Sequence, residues 1–271
     1  CNAGFALQTD SLVPYAGKPL ILHTIGILII TGGLAPATVL VIPALLKRQK
    51  IPPAAYLALV YTLFFLMFGF VMILSLEWSR SLGDFGVFDK LNNAWFQSVT
   101  LRTAGFNSID ISQSAAPTML IMMALMFVGG SPGGTAGGVK TVTIGVLMAA
   151  LWTNVVGRKD AEAHGWEISS TLVYRAIAIF GSGVLLWFVL TFMLTVTQAI
   201  STRDIIFEAT STLATVGLST GATGQLDEIG KCLIIIGMFV GRIGPLTLFV
   251  LLTQDPKVKR RSLPQAEIPL S

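Results

Sequence analysis

The chain has 271 residues, 53% of them hydrophobic and 12% charged, with a formal net charge of +4. Soluble domains carry roughly 25% Asp, Glu, Lys and Arg; here those residues leave neutral gaps at 19–46, 51–76, 111–139 and 176–202. About 20 apolar residues cross a bilayer as a helix, so the sequence excludes a soluble globular domain, a disordered chain and a secreted disulfide scaffold. It predicts an all-α polytopic membrane protein.

In chain order, Cys1 opens the sequence without a methionine, inside the tetrapeptide Asn2-Ala3-Gly4-Phe5, and an N-terminally incomplete chain is expected. No charged segment precedes a short apolar stretch, so no signal peptide is expected. A helix is predicted over 19–46, with His23 at the interface near its start, and Lys47, Arg48 and Lys50 follow. Next come a spanning helix over 54–78, a short polar half-helix over 90–101 and the loop Thr103-Ala104-Gly105-Phe106. The apolar stretch over 115–156 ends at Arg158 and Lys159. A hairpin over 161–167, where His164 is a solvated loop residue, leads to a second spanning helix over 171–198. A second half-helix over 203–214, the loop Thr215-Val216-Gly217-Leu218, a helix over 229–253 and a tail with Lys257, Lys259, Arg260 and Arg261 complete the chain.

The three basic clusters hold nine of the eighteen Lys and Arg residues. The positive-inside rule places them in the cytoplasm and the connections 79–90 and 198–203 outside. Their position beside apolar runs argues for topology rather than nucleic-acid binding. Trp78, Trp152, Trp166 and Trp187 read as interfacial anchors and packing residues. Cys1 and Cys232 give neither a disulfide framework nor metal-ligand spacing.

The elements repeat. Each unit reads as outer helix, half-helix, glycine-containing loop and inner helix, once over 54–156 and again over 171–253. Asn2-Ala3-Gly4-Phe5 and the helix at 19–46 read as the tail of an earlier copy, whose outer helix and half-helix are missing. Both half-helices are too short and too polar to span, so each is re-entrant, and irregular backbone at membrane depth must line a cavity or be buried in protein. Such loops suit cation selection: main-chain carbonyls replace the water shell of an ion, glycine reaches positive φ without penalty, and the C-terminal end of a half-helix adds partial negative charge. Glu208 and Asn92 either tune these loops through hydrogen bonds or sit in water at the outer mouth.

The run Phe96-Gln97-Ser98-Val99-Thr100-Leu101-Arg102-Thr103-Ala104-Gly105-Phe106-Asn107 resembles the third-repeat pore region of Trk/Ktr-type potassium transporters. Gly129-Gly130-Ser131-Pro132-Gly133-Gly134-Thr135-Ala136-Gly137-Gly138-Val139-Lys140-Thr141 is similar to the intramembrane loop of that family. Met238-Phe239-Val240-Gly241-Arg242-Ile243-Gly244-Pro245-Leu246-Thr247 is similar to its last inner helix, more Ktr-like at the Gly-Pro step. The resemblance implies pseudo-fourfold repeats around one central pore, a homodimer, a cytoplasmic nucleotide-binding regulatory ring, and potassium as the transported ion, with no covalently bound cofactor. On this reading residues 1–50 hold the filter loop and inner helix of the second repeat. Residues 51–160 form the third repeat, 161–254 the fourth, and 255–271 a cytoplasmic tail. The ion-binding candidates are Asn2, Ala3, Gly4, Phe5, Thr103, Ala104, Gly105, Phe106, Thr215, Val216, Gly217 and Leu218. One glycine per loop predicts fewer ordered ion sites than a five-residue potassium-channel filter. Sodium-preferring relatives can place serine at the first-repeat glycine, which lies outside this sequence.

Six glycines and one proline fall within 129–138. Interior proline costs about 3 kcal/mol and glycine about 1 kcal/mol each relative to alanine, so the apolar run must break into helix, loop and helix. The spacing of Gly133 and Gly138 is that of a phosphate-binding loop, but Val139 separates Gly138 from Lys140 and Thr141, and no strand precedes it. Arg242 stands alone between the charge-free stretches 232–241 and 243–254; a central arginine is costly in a bilayer, so it is expected to face the bundle interior. The gate candidates are therefore Gly129, Gly130, Ser131, Pro132, Gly133, Gly134, Thr135, Ala136, Gly137, Gly138, Lys140 and Arg242. Lys140 either assists the gate or marks the cytoplasmic side of the broken helix. The function expected is potassium uptake across the plasma membrane with the filter outward. The alternatives are a sodium-permeable relative, a non-conducting assembly subunit and a membrane enzyme acting on a phosphorylated substrate.

Overall fold

A computed structural model describes residues 2, 4–8, 10–157, 161–163 and 165–244. Ala3, Arg158, Lys159, His164 and the tail over 245–271, including its basic cluster, lie outside the described residues, so the expectations placed on them stay with the sequence. Ten helices are described: α1 Pro19–Gly33, α2 Pro36–Leu40, α3 Ile42–Leu46, α4 Pro53–Glu77, α5 Val87–Thr100, α6 Ala116–Phe127, α7 Thr141–Val156, α8 Ser170–Thr197, α9 Thr202–Leu213 and α10 Glu228–Ile243. Proline opens α1, α2 and α4, where its missing N–H costs nothing and its φ is already helical.

Among the described residues α4 and α8 are the two helices long and apolar enough to cross a membrane, or three spans if α1 is counted with α2 and α3. With 25 and 28 residues, α4 and α8 reach about 37 and 42 Å at 1.5 Å per residue. The 14 residues of α5 and 12 of α9 reach about 18–21 Å, less than the roughly 30 Å hydrocarbon core. These two helices are amphipathic, and their buried faces are largely polar, including Asn93, Gln97 and Ser98 on α5 and Glu208, Thr210 and Ser211 on α9.

Two expectations are corrected. The segment over 19–46 is not one helix: α1 stops at Gly33, Leu34 and Ala35 are extended, and the chain turns by 109° into α2 and α3. Pro36 is the physical reason, because proline drives the preceding residue out of the helical region. Nor is the chain purely α-helical. Strands β1 Ala161–Ala163 and β2 Trp166–Ile168 form an antiparallel hairpin on the connection from α7 to α8.

The core joins α4 and α6 to α9. Ile73 of α4, Met119, Met122 and Met126 of α6 and Phe207 of α9 are buried in one cluster. Arg203, in the first turn of α9, donates Nη2–H to Ser114 O at 2.7 Å and approaches Met119 Sδ with Nε at 2.8 Å. At the end of each long helix, α4 and α8, a polar residue ties down the start of a later helix. Glu77 accepts from Ala115 N–H at 2.9 Å, Ser81 Oγ–H at 2.9 Å and Thr118 Oγ1–H. Gln198 donates to Asp227 Oδ1 at 2.6 Å and accepts from Asp227 N–H at 3.1 Å, while Asp227 caps α10 through Gly230 N–H at 2.7 Å. Trp187 is less an anchor than a strut, its Nε1–H donating to Thr210 Oγ1 at 2.8 Å. Trp78, Trp152 and Trp166 are exposed.

Candidate functional site

The half-helices α5 and α9 end in loops of matching conformation. Thr103 and Gly105 have φ of +63° and +82°, Thr215 and Gly217 have +54° and +92°, and Gly4 has +68°. Ala104 and Val216, between them, stay at negative φ, so handedness alternates along each loop. That alternation is what lets successive carbonyls serve one ion. A β-branched residue at positive φ is strained, and hydrogen bonds hold it. In the first of these two loops Ala104 N–H donates to Thr100 O at 3.1 Å, and Thr100 Oγ1 donates to Phe106 O at 2.6 Å while accepting from Phe106 N–H at 3.0 Å. In the second, Thr215 N–H donates to Thr212 O at 3.0 Å and Val216 N–H to Ser211 O at 2.8 Å.

The three glycines, far apart in sequence, converge. A Cβ built on Gly4 would stand 2.6 Å from Ala104 O; one on Gly105 would stand 2.6 Å from Val216 O and 3.4 Å from Gly4 Cα; one on Gly217 would stand 3.4 Å from Gly105 Cα. Alanine does not fit at Gly105 without moving main chain. Asn2 braces the first loop by donating Nδ2–H to Ile29 O at 3.3 Å. Ala104, Val216 and Leu218 bury their side chains, whereas Phe5 is exposed. Thr103 Oγ1 and Thr215 Oγ1 are buried with no protein partner among the described residues. The loop carbonyls are the oxygens that could meet a cation here. Among the described residues Glu208 and Asn92 make no hydrogen bond to these loops: Glu208 accepts from Ser219, Thr220 and Thr223, and Asn92 meets His23 Nε2 at 3.0 Å.

Between α6 and α7, residues 128–140 leave helical conformation. Gly129 N–H donates to Val139 O at 2.9 Å and Val139 N–H to Phe127 O at 3.0 Å, closing the neck of the loop. Its tip docks on the broken end of α1: Ser131 N–H donates to Gly33 O at 3.0 Å, and Thr135 donates N–H at 3.2 Å and Oγ1–H at 2.9 Å to Gly32 O. Pro132 and Gly133 are exposed, and Gly134 passes close to Gly33 O. Gly137 lies against the Thr215–Leu218 loop, where a Cβ would collide with Thr215 Oγ1 and stand 2.8 Å from Ala214 O. Two cations hold adjacent carbonyls, Arg242 donating to Thr135 O and Lys140 to Ala136 O. Arg242 is not at mid-helix as the charge-free flanks suggested. It lies in the last turn of α10, one residue before Ile243 ends the helix and two before Gly244 at φ +93°, because Pro245 disfavours helix in the residue it follows. Its side chain is exposed in this chain and turns toward the glycine-rich loop, where Thr135 O accepts its proton.

Sequence reasoning passed over Arg102. It is the one charge between Lys90 and Asp110, the same signal that singled out Arg242, and its position beside the glycine loop hid it as a motif residue.

The family model described as a cation transport protein, TrkH, matches residues 1–260. The chain belongs to the TrkH family. Among the similar TrkH-family proteins, the Ktr system potassium uptake protein B of Bacillus subtilis is 35% identical over 91% of this chain and 56% of its own length. The potassium/sodium uptake protein NtpJ of Enterococcus hirae is 37% identical over 92% of the chain and 56% of its own length. The crystal structure of the potassium transporter TrkH from Vibrio parahaemolyticus shares the fold with a TM-score of 0.77 at 21% sequence identity, covering 93% of this chain and 56% of that one. The chain therefore spans about half the length of these relatives. A mostly helical, multi-pass membrane chain of a cation transport family follows from these matches; no enzyme activity belongs to that family.

Proposed function

We propose that this chain is part of the ion-conducting subunit of a potassium uptake system in a plasma membrane, with the glycine loops as its outward-facing selectivity filter. The convergence of Gly4, Gly105 and Gly217 carries the reading. Gly4 faces a carbonyl of the next copy, Ala104 O, and Gly105 faces the corresponding carbonyl of the copy after that, Val216 O. A stepwise relation in one sense is what a closed ring of four pseudo-repeats requires, and it supports the division of the chain at 1–50, 51–160, 161–254 and 255–271. Asn2, Ala3, Gly4 and Phe5, Thr103 to Phe106, and Thr215 to Leu218 supply the ion-facing backbone, potassium being the substrate.

The glycine-rich loop over 129–138, with Lys140 and Arg242, is the gate. Thr135 bridges the end of α1 and Arg242, so the loop lies across the space beneath the filter, and opening requires those bonds to exchange. A cation approaching from the filter meets Arg242 and the closed loop together. A homodimer and a cytoplasmic nucleotide-binding ring complete the proposal as the family resemblance implies them; the Ktr-system names of two relatives support a membrane subunit that works with others.

Potassium selectivity is the first reading; the potassium/sodium name of NtpJ favours a sodium-permeable transporter as the second. Rubidium uptake in transport-deficient cells expressing the full-length gene, with and without Gly105→Ser, tests both. Uptake that sodium competes weakly, and that Gly105→Ser renders sodium-sensitive, fits the first reading. Equal competition by sodium in the unsubstituted protein fits the second, and no uptake at all contradicts both.

A further inference from the structure

Arg102 is a cation that the filter and the gate leave unused. Its side chain is only 5% exposed. The guanidinium carbon lies 5.8 Å from the ring centroid of Phe65 on α4, yet Nε and Nη1 are buried and reach no acceptor among the described residues. Burying an ionised group with its hydrogen bonds unmade is strongly unfavourable, so a partner for those protons is required.

The surroundings identify it. Arg102 lines a cavity of about 10 Å³ together with Ile30 and Gly33 at the end of α1, Thr62 and Leu66 of α4, and Gly130 of the glycine-rich loop. Thr62 Oγ1 is likewise buried without a partner among the described residues. A space of this size admits about one water, and a buried water stays where two to four polar groups hold it. The cavity also stands at a junction: Gly33 O accepts Ser131 N–H at 3.0 Å, and Gly130 O accepts Thr141 N–H at 3.1 Å. In the other direction Arg102 runs directly into Thr103, the first positive-φ residue of its loop. One side chain thus reaches from the root of the Thr103–Phe106 loop to the root of the gate loop.

We propose that Arg102 is a positioning residue that couples filter and gate through one buried water, held by its Nε–H and Nη1–H and by Thr62 Oγ1, and shared with the main-chain oxygens where α1 meets the gate loop. Displacement of the gate loop at Gly130 then alters the filter at Thr103. The inference rests on the filter and gate reading above and adds the link between the two.

Four variants of the full-length protein in liposomes test it: Arg102→Gln, Arg102→Lys, Thr62→Val, and the Arg102→Gln/Thr62→Val double. Rubidium uptake is measured against concentration, with reconstituted abundance as the control. Arg102→Gln and Thr62→Val are each expected to shift apparent KM and maximal rate together by at least about threefold, the double no further than Arg102→Gln alone, because both remove the same water. Arg102→Lys restores most of the loss. Additive single effects, a lysine variant no better than the glutamine, or a change confined to maximal rate overturns the proposal. Should Arg102→Gln fail to accumulate, Thr62→Val decides by itself, since unchanged KM and rate at normal abundance exclude the bridge. The parent reading fails separately: Gly105→Ser with unaltered selectivity removes the filter, whereas altered selectivity beside an inert Thr62→Val removes only the coupling.

Discussion

Replacing Gly105 with alanine adds one methyl group at a place where the structure sets its cost. At φ +82° the side chain carries about 1–2 kcal/mol of left-handed strain. The new Cβ would stand 2.6 Å from Val216 O and 3.4 Å from Gly4 Cα. Carbon–oxygen approaches ordinarily stop near 3.3 Å, so the Val216 carbonyl must retreat by about 0.7 Å. Because Val216 N–H is held on Ser211 O at 2.8 Å, the retreat tilts that peptide and turns its oxygen off the axis. A tilted oxygen binds whichever ion fits the looser ring, so preference for potassium over sodium should fall by at least about tenfold, or about 1.4 kcal/mol. The assay is rubidium uptake competed by sodium in transport-deficient cells, with membrane abundance measured in parallel. Unchanged preference at unchanged abundance would refute the reasoning, since the same geometry cannot both clash and leave the ion ligands in place.

Other expectations follow from single contacts. Arg242→Gln removes a charge-assisted hydrogen bond to Thr135 O, about 1.5–3 kcal/mol, and should raise basal flux in proteoliposomes about tenfold or more; unchanged flux would remove Arg242 from the gate. Glu77→Ala strands the buried donors at Ala115 and Thr118, costing about 2–4 kcal/mol, and should lower the melting temperature in detergent more than Glu77→Gln does. Hydrogen bonds from Gly230 N–H and the Gln198 amide hold the Asp227 carboxyl below its ordinary pKa. A depressed folded-state pKa means that its contribution is complete above the unfolded value of about 3.9 and disappears as pH falls further, through the folded value. Melting temperature should therefore fall less steeply between pH 5 and pH 3 for Asp227→Asn than for the unsubstituted protein, and parallel slopes would contradict that role.

How much of this was legible depended on which physics the residues expose. Neutral runs at 51–76 and 176–202 mark α4 and α8 directly, because charge is what a spanning helix cannot carry. Polar residues at short range marked α5 and α9, whose amphipathic faces have no other use at that length. The bend after Gly33 was hidden because an apolar count is blind to direction, although Pro36 carried the signal. The hairpin over 161–167 was legible as a connection, but its strands β1 and β2 depend on a pairing too short for periodicity to reveal. At the candidate site, Gly105 stands out in the sequence as a turn former, but its spatial neighbours Val216 and Gly4 come from two distant segments, and no local pattern states that they meet. The position of Arg242 was misjudged because charge-free flanks measure distance along the chain, whereas Gly244 and Pro245 end the helix. Arg102 went unread because the cavity it lines is built from α1, α4 and the loop over 128–140, all remote in sequence.

The most direct test is a structure of the full-length protein with rubidium, located by its anomalous scattering. The account predicts a peak on the axis bounded by Gly4, Gly105 and Gly217, touched by main-chain oxygens of residues 103–105 and 215–217. A peak elsewhere in the membrane region, with that axis closed by side chains, would contradict it.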